Sequence, residues 1–407
     1  VTRPLRVLSL STLFPEASRP TFGIFVEHSM HALAAQPGID LTIVAPVGVP
    51  PWPISALRRY APRKVLPKME NWHGLSVLRP RWRIWPGIDA SSNGGRVGAA
   101  LKAAVRDLPP FDIIDAQFFH PDAVAAQVAA KALGLPYSVT ARGSDIAIWA
   151  RRPDTGPGII AAAGGAGGLL AVSAALREDM IALGMPADRI TVRRTGVDAD
   201  RFHPMNRGDA RQTLFVGDGP VLLTVGTLNA NKGQHLVIDA LATIPNATYL
   251  IAGSGPDDAA LRARAESAGL SNRVRFLGQV PQAKLPQLYN AADIVVQPSS
   301  REGLANAWVE AMACGTPLIA ADIAPAYEAI DSPESGRIVA RTPAGIAAGV
   351  RDLIAAPPDR SALAARTHAR FSWNLHGAAH AAHLRAIIER AKGDGSGGKI
   401  RKIALIP

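Results

Sequence analysis

The chain predicts an α/β protein of two domains, each a parallel sheet covered by helices on both faces, and three observations carry that reading. Short, strongly apolar segments alternate with alanine-rich helical patterns through both halves. A length of 407 residues exceeds one ordinary core and fits two domains. The residues with ligand-binding chemistry fall just after strand-like segments, where open parallel sheets place their sites.

In chain order, the first half offers strands at LRVLSLS (5–11), DLTIVAP (40–46), FDIIDAQ (111–117), PYSVTA (136–141) and GLLAVSA (168–174). The second half offers PVLLTVGTL (220–228), ATYLIAGSG (247–255), RVRFLGQV (273–280), DIVVQPS (293–299) and PLIAAD (317–322). Helical patterns at 23–36, 121–134, 232–243, 257–269 and 282–291 separate them, and 374–392 forms a last one. The turn-rich segment MNRGDARQTLFVGDGP (205–220) marks the boundary. It divides the chain into 1–204, a linker at 205–219, and 220–373. Residues 393–407 begin as a Gly/Ser-rich, flexible tail.

Composition narrows the function. Hydrophobic content of 48% and charged content of 19% fit a packed globular enzyme. No apolar run reaches the roughly 18 residues a membrane span requires. The apolar stretch in VTRPLRVLSLSTLFP is too short for a signal peptide and reads as a first core strand. The single cysteine, Cys314, excludes an intramolecular disulfide, fits a reducing cytoplasm, and reads as a small core residue of a helix. No Cys/His cluster has metal-ligand spacing, so no metal or other cofactor is expected. A net charge of +11 asks for an anionic partner, either phosphorylated substrates or an acidic membrane surface. With aromatics at 5% and neither an RNA-binding signature nor a basic recognition helix, no nucleic-acid partner is expected.

The most informative run is REGLANAWVEAMACGTPLIAAD (301–322). It carries a loop of small residues out of a strand and into a helix, which Gly315-Thr316-Pro317 then stops. Bare N–H groups at such a helix start favour an anion, and Glu302 and Glu310 can accept hydrogen bonds from hydroxyls. Phosphate donors beside hydroxyl acceptors describe a sugar-nucleotide pocket. In VGTLNANKGQHLVIDAL (225–241), Lys232-Gly233 opens a helix after a strand. Alone it would be a solvated lysine. Beside AGSGP (252–256), with Gly253 and Gly255 at a second strand-to-helix turn, it reads as a phosphate ligand. Gly23, between the first strand and helix, would let backbone approach a ligand, although turns before helices often carry glycine. ARGSDI (141–146) sets Arg142 and Asp145 after another strand, either as site residues or as a structural pair. His120, in QFFHPDAV (117–124), is a candidate polar site residue or a solvated helix-start residue. Residues 51–88 carry eight Lys and Arg with almost no acid, interleaved with Trp52, Tyr60, Trp72, Trp82 and Trp85. That mixture suits the headgroup layer of an anionic membrane, against the plainer alternative of a solvated loop with buried tryptophans.

Together these residues resemble the family-4 retaining glycosyltransferases of the GT-B fold, over about residues 5–390. The Glu-x7-Glu run with EAMACGTPLIA carries most of the likeness, supported by TGVDADRF (195–202), NKG and AGSGP. The resemblance implies two Rossmann-like domains with parallel sheets facing across a cleft, the first binding acceptor and the second donor, with helix 374–392 crossing back to the first. It implies that Glu310 holds the ribose hydroxyls. Glu302 contacts the transferred sugar, helped by backbone N–H groups of Gly303, Leu304, Ala305 and Asn306. Lys232 binds the diphosphate, Gly23 lets the first loop close on it, and Arg273 to Phe276 with Gly278 cup the base. Arg142, Asp145 and His120 join Glu302 and Lys232 as catalytic candidates. Arg58, Arg59, Arg63, Lys64, Trp82, Arg83 and Trp85 are acceptor or membrane candidates.

The implied chemistry is transfer with retention and without a metal, through same-face attack on an oxocarbenium-like state in which the leaving phosphate takes the acceptor's proton. Three positions depart from the family. Thr227 stands where relatives carry Arg or Asn. Arg142 stands where they carry the His of His-Gly-x-Asp. Thr195-Gly196-Val197-Asp198 replaces Asn-Gly-Val-Asp. The expected protein moves a hexose from a nucleotide diphosphate, UDP before GDP, to a lipid-linked or surface-polysaccharide precursor. It would work in the cytoplasm, peripherally on the inner face of the membrane. The alternatives are a sugar-nucleotide epimerase or phosphorylase of the same fold, or a non-catalytic nucleotide- or glycan-binding partner.

Overall fold

A computed structural model describes residues 3–58, 60–85, 87 and 90–395. Arg59 and the tail from residue 396 onward, both named above, lie outside the described residues. The chain forms two compact units: residues up to Arg194 together with those from Trp373 onward, and Thr195–Ser372.

The strands of the first unit are β1 (Leu5–Leu10), β2 (Ile39–Val44), β3 (Val47–Val49), β4 (Met69–Trp72), β5 (Leu75–Leu78), β6 (Arg81–Arg83), β7 (Ile113–Ala116), β8 (Tyr137–Ala141), β9 (Gly168–Ala171) and β10 (Ile190–Val192). Its helices before the crossover are α1 (Ile24–Ala34), α2 (Ala61–Lys64), α3 (Asn93–Ala104), α4 (Val124–Leu133), α5 (Ser144–Ala147), α6 (Gly156–Gly165) and α7 (Ala174–Ala182). Eight strands make one sheet in the order β10-β9-β8-β7-β1-β2-β5-β4. It is parallel except where β4 turns back on β5. β7, β8 and β9 are buried at every position, so both faces need cover. Val26, Met30 and Leu33 of α1 cover one face, and Val97, Leu101, Ala126, Ile159 and Leu176 cover the other.

The second unit has β11 (Val221–Val225), β12 (Thr248–Ala252), β13 (Val274–Gly278), β14 (Ile294–Gln297), β15 (Leu318–Ala321) and β16 (Gly336–Val339). Its helices are α8 (Arg207–Thr213), α9 (Gln234–Leu241), α10 (Asp258–Ser267), α11 (Leu285–Ala291), α12 (Asn306–Ala313), α13 (Ala324–Ala329), α14 (Pro343–Ala355) and α15 (Arg360–Arg370). The sheet is parallel throughout, in the order β13-β12-β11-β14-β15-β16. Val237, Ile238, Leu261 and Val350 pack on one face; Leu288, Trp308, Met312 and Leu363 pack on the other.

The last helix, α16 (Trp373–Gly395), belongs to the first unit. Its Ala381, Leu384 and Ile387 join Val7, Met30 and Ile113 in one cluster. A buried polar layer lies beside them. His380 Nε2 is 2.9 Å from Asp115 Oδ2, both side chains fully buried. His383 Nε2 bonds the Ser138 hydroxyl at 3.0 Å. Arg193 donates to Ser29 at 3.1 Å and to His376.

The boundary expected at 205–219 is corrected. Residues 195–204 already belong to the second unit, where Val197 and Phe202 are core residues. The supposed linker contains α8, which is fixed by the bond from Arg211 Nε to the Ala291 carbonyl at 3.1 Å. Its polar composition is that of a surface helix, not of a free connection.

Candidate active site

In each sheet the strand order reverses once, between β1 and β7 in the first unit and between β11 and β14 in the second. Loops diverge there at the carboxyl ends of the strands and leave room for a ligand. Lys232 follows β11 and Glu302 follows β14, so topology alone sends both to one switch point.

Local hydrogen bonds fix them there. The Asn229 side chain accepts from Lys232 N–H at 3.2 Å, closing a short turn that ends at Gly233 with φ 76°. A Cβ on Gly233 would lie 2.6 Å from the Pro298 carbonyl oxygen, so only glycine lets the two loops touch. Ser300 donates to Asn231 Oδ1 at 2.8 Å, and Asn231 Nδ2 donates to the Arg301 carbonyl at 3.0 Å. Arg341 spans both loops, with Nε to Pro298 O at 2.9 Å and Nη2 to Ala230 O at 2.8 Å. The result is an ion pair, Lys232 Nζ to Glu302 Oε1, at 2.5 Å with the side chains 19% and 11% exposed. Gln297 Nε2 also donates to Glu302 Oε1, at 3.3 Å. Gln297 Oε1, Gln234 Oε1 and Ser299 Oγ are buried nearby in sequence without partners among the described residues, which is unusual for polar atoms.

The loop then enters α12 through Gly303, buried Leu304, Ala305 and Asn306. No side chain caps this helix, so its first N–H groups are open to an anion. The Asn306 side-chain oxygen accepts from the Thr195 hydroxyl at 3.0 Å, a use of threonine where the family carries asparagine. About one turn in, half-buried Glu310 accepts from the Tyr289 hydroxyl at 2.7 Å. Burial pushes its carboxyl up to about 7, against the Tyr289 bond and the Arg201 charge. Thr227 is exposed at the end of β11.

Two donor-site expectations are corrected. Arg273 sits before β13, at the amino end of the sheet, where it donates to the carbonyls of Ala247 (2.9 Å), Leu241 (3.0 Å) and Ile244. It is a brace on the edge opposite the switch point. Phe276 packs against the hydrophobic cluster under the Arg262 guanidinium, 4.2 Å from its ring centre. Of this segment only Gly278, whose carbonyl accepts from Gly253 N–H at 2.7 Å, reaches the carboxyl edge. Gly253 and Gly255 are there for close packing: a Cβ would lie 1.9 Å from Gly226 O and 2.2 Å from Leu228 O, respectively.

In the first unit, Gly23 (φ 71°) precedes α1 with the Leu13 carbonyl where a Cβ would stand, at 2.3 Å. Arg142, after β8, donates from Nε to Gln117 O at 2.8 Å and from Nη2 to Gln117 Oε1 at 2.7 Å. Burial pulls its guanidinium down to about 10, against the charges of Asp145, Asp115 and Asp122. Asp145, read from the sequence either as a site residue or as half of a structural pair, is fully buried. Its carboxylate accepts backbone N–H groups of Arg142 (3.0 Å), Gly143 (2.8 Å), Ile146 (3.2 Å) and Phe119 (3.3 Å), which ties the loop after β8 to the start of the segment at Phe119. His120 is 5% exposed, stacked on Trp149 at 4.9 Å, with Nε2 unpartnered among the described residues. It is thus no solvated helix-start residue, and it has a free ring nitrogen. Gln117, which orients Arg142, carried no signal in the sequence. Nor did buried Asp122, which accepts from Thr12 N–H at 3.1 Å and which burial pushes up to about 7.

Residues 51–88 separate into two classes. Trp52, Leu57, Val65 and Trp85 are exposed, along with Arg58, Lys64 and Arg83. Trp82, at 9% exposure, and half-buried Arg63, both offered as acceptor or membrane candidates, instead line a pocket of the first unit. Among the described residues no helix is long and apolar enough to cross a membrane, and no His, Cys, Asp and Glu cluster could hold a metal.

Two family models match the chain: "Glycosyltransferase Family 4" over residues 23–201 and "Glycosyl transferases group 1" over 206–370. TuaC of Bacillus subtilis, named as a glycosyltransferase of teichuronic acid biosynthesis, is 28% identical over 334 residues, 78% of this chain and 81% of its own. Sucrose-phosphate synthase of Thermosynechococcus elongatus superposes with a TM-score of 0.74 at 21% identity, covering 97% of this chain and 100% of that one. HepE of Anabaena in complex with UDP-glucose gives 0.71 at 21% identity, covering 96% and 100%. With both sheets, their switch points and the Glu-x7-Glu helix in place, the chain belongs to the family-4 glycosyltransferases and has the GT-B fold.

Proposed function

We propose that this protein is a retaining, metal-independent transferase that moves a hexose from a UDP-sugar to a lipid-linked or surface-polysaccharide precursor at the inner face of a membrane. The Lys232–Glu302 pair at the second switch point carries the reading. An ammonium fixed there meets the diphosphate of a bound donor and stabilises the negative charge that grows as the C1–O bond breaks. The uncapped start of α12 adds its N–H dipoles on the same account. Glu302, released from Lys232, accepts hydroxyls of the moving sugar, and Glu310 accepts those of the ribose. The acceptor oxygen bonds C1 on the face the diphosphate leaves, and its proton passes to the leaving phosphate.

HepE was solved with UDP-glucose, which favours UDP as the nucleotide here. TuaC's name favours a cell-surface polymer. Exposed Trp52, Leu57, Val65 and Trp85 among basic residues favour an anionic membrane surface. The test is a melting-point screen with UDP-, GDP- and ADP-sugars, followed by turnover with membrane extract under excess chelator. A UDP-sugar raises the melting point, turnover survives the chelator, and the product keeps the donor's anomeric configuration. Inversion, or abolition by chelator, contradicts the reading.

A further inference from the structure

Above the carboxyl ends of β1, β2 and β5, the first unit has a half-open pocket of about 140 Å³ whose wall includes three arginines, Arg19, Arg63 and Arg79, and one acid, Glu16. The site is built, not a chance gathering of surface charge. Arg79 is 1% exposed and locked by Nε to Glu70 and Nη2 to the Pro15 carbonyl at 2.7 Å. Its guanidinium lies 6.0 Å from the Phe14 ring and 5.7 Å from that of Trp72. Nη1, the third nitrogen, donates to nothing among the described residues. Arg63 lies over the Tyr60 ring at 5.3 Å and donates to the Gly48 carbonyl at 3.4 Å. Arg19 covers the Phe22 ring at 4.0 Å and holds Glu16 at 2.8 Å. Trp82 closes another side against Gly48, where a Cβ would stand 3.2 Å from the indole, and its buried Nε1–H has no acceptor among the described residues.

Three guanidiniums against the two carboxylates of Glu16 and Glu70, a pre-set guanidinium with a spare amino group and aromatic walls make a receptor for an oxyanion attached to a ring or chain. We propose that this cavity binds a phosphate group of the acceptor, with Arg19, Arg63 and Arg79 as its ligands. The inference rests on the transferase reading and gives its acceptor a chemical class: a phosphate-bearing molecule.

The phosphate could belong to a lipid headgroup or to a soluble or saccharide phosphate, and two probes separate these. Glycerol phosphate is titrated calorimetrically into the full chain with UDP saturating the donor site, and vesicles of phosphatidylglycerol or phosphatidylcholine are tested by flotation. Glycerol phosphate binding that weakens at least tenfold in Arg63→Gln and in Arg19→Gln, at unchanged melting temperatures, supports a soluble or saccharide phosphate. Arg63-dependent flotation on phosphatidylglycerol alone supports a headgroup. Binding of neither probe, or equal binding by both variants and wild type, overturns the proposal. A protein that binds glycerol phosphate here but turns over no sugar nucleotide keeps the pocket and loses the transferase reading.

Discussion

Lys232 and Glu302 neutralise one another at 2.5 Å, so an arriving diphosphate competes with a carboxylate for the ammonium. Desolvation offsets most of the attraction in a pair this little exposed, so its net worth is about 1 kcal/mol, the upper range of surface pairs. Glu302→Gln therefore binds UDP roughly fivefold more tightly while turning over more slowly; calorimetry showing unchanged or weaker UDP binding would contradict the exchange. Glu310 sets the pH dependence. Burial holds its carboxyl at about 7, above the ordinary value, so the donor-free site is protonated below that pH and becomes a full hydroxyl acceptor above it. Affinity for a UDP-sugar, which has no phosphate titrating in this range, rises as pH passes through 7 and then levels off. Glu310→Gln flattens the profile. At the residue scale the sequence placed Lys232 and Glu302 in loops after strands and Glu310 in the helix that follows, which is where the fold has them. It misled at Arg273 and left Asp145 open, since their partners are backbone carbonyls and N–H groups that no composition or spacing displays.

The central strands and the helices between them were legible as elements, since fully buried parallel strands are mostly apolar, and their few polar residues, such as Ser138 and Gln297, are hydrogen-bonded. The excursion between β2 and α3 was not. β3, β4, β5 and β6 are short, two of them pair outside the main sheet, and their arginines and tryptophans look like a solvated loop until Arg79 and Trp82 are seen to be buried. α16 was legible as a helix, while the polar layer beneath it was not. Burial and the Arg193 charge hold His376 and His380 below the ordinary histidine value; burial and the His380 charge bring His383 to about 3. The unfolded chain thus takes up protons that the folded one refuses. Stability from these residues is complete above about 6.5 and drains as pH falls, by as much as about 1.4 kcal/mol per histidine per unit. Calorimetry at pH 7.5 and 5.0 should show the first unit's transition falling further than the second's; equal shifts would contradict this assignment.

Across the whole molecule, two units of one architecture divide the chemistry. The Lys232–Glu302 site lies in Thr195–Ser372, and the arginine-walled cavity lies in the unit that α16 completes. The excess of basic residues, +11 overall, suits a protein whose proposed donor, acceptor and surface are all anionic. At the centre of the account is the claim that Lys232 stabilises the departing diphosphate, and its direct measure is the single-turnover rate of Lys232→Ala with the sugar nucleotide the melting screen selects. A loss of at least about a hundredfold is expected, the usual cost of removing a transition-state charge partner, at an unchanged melting temperature. A rate within a few fold of wild type would contradict it.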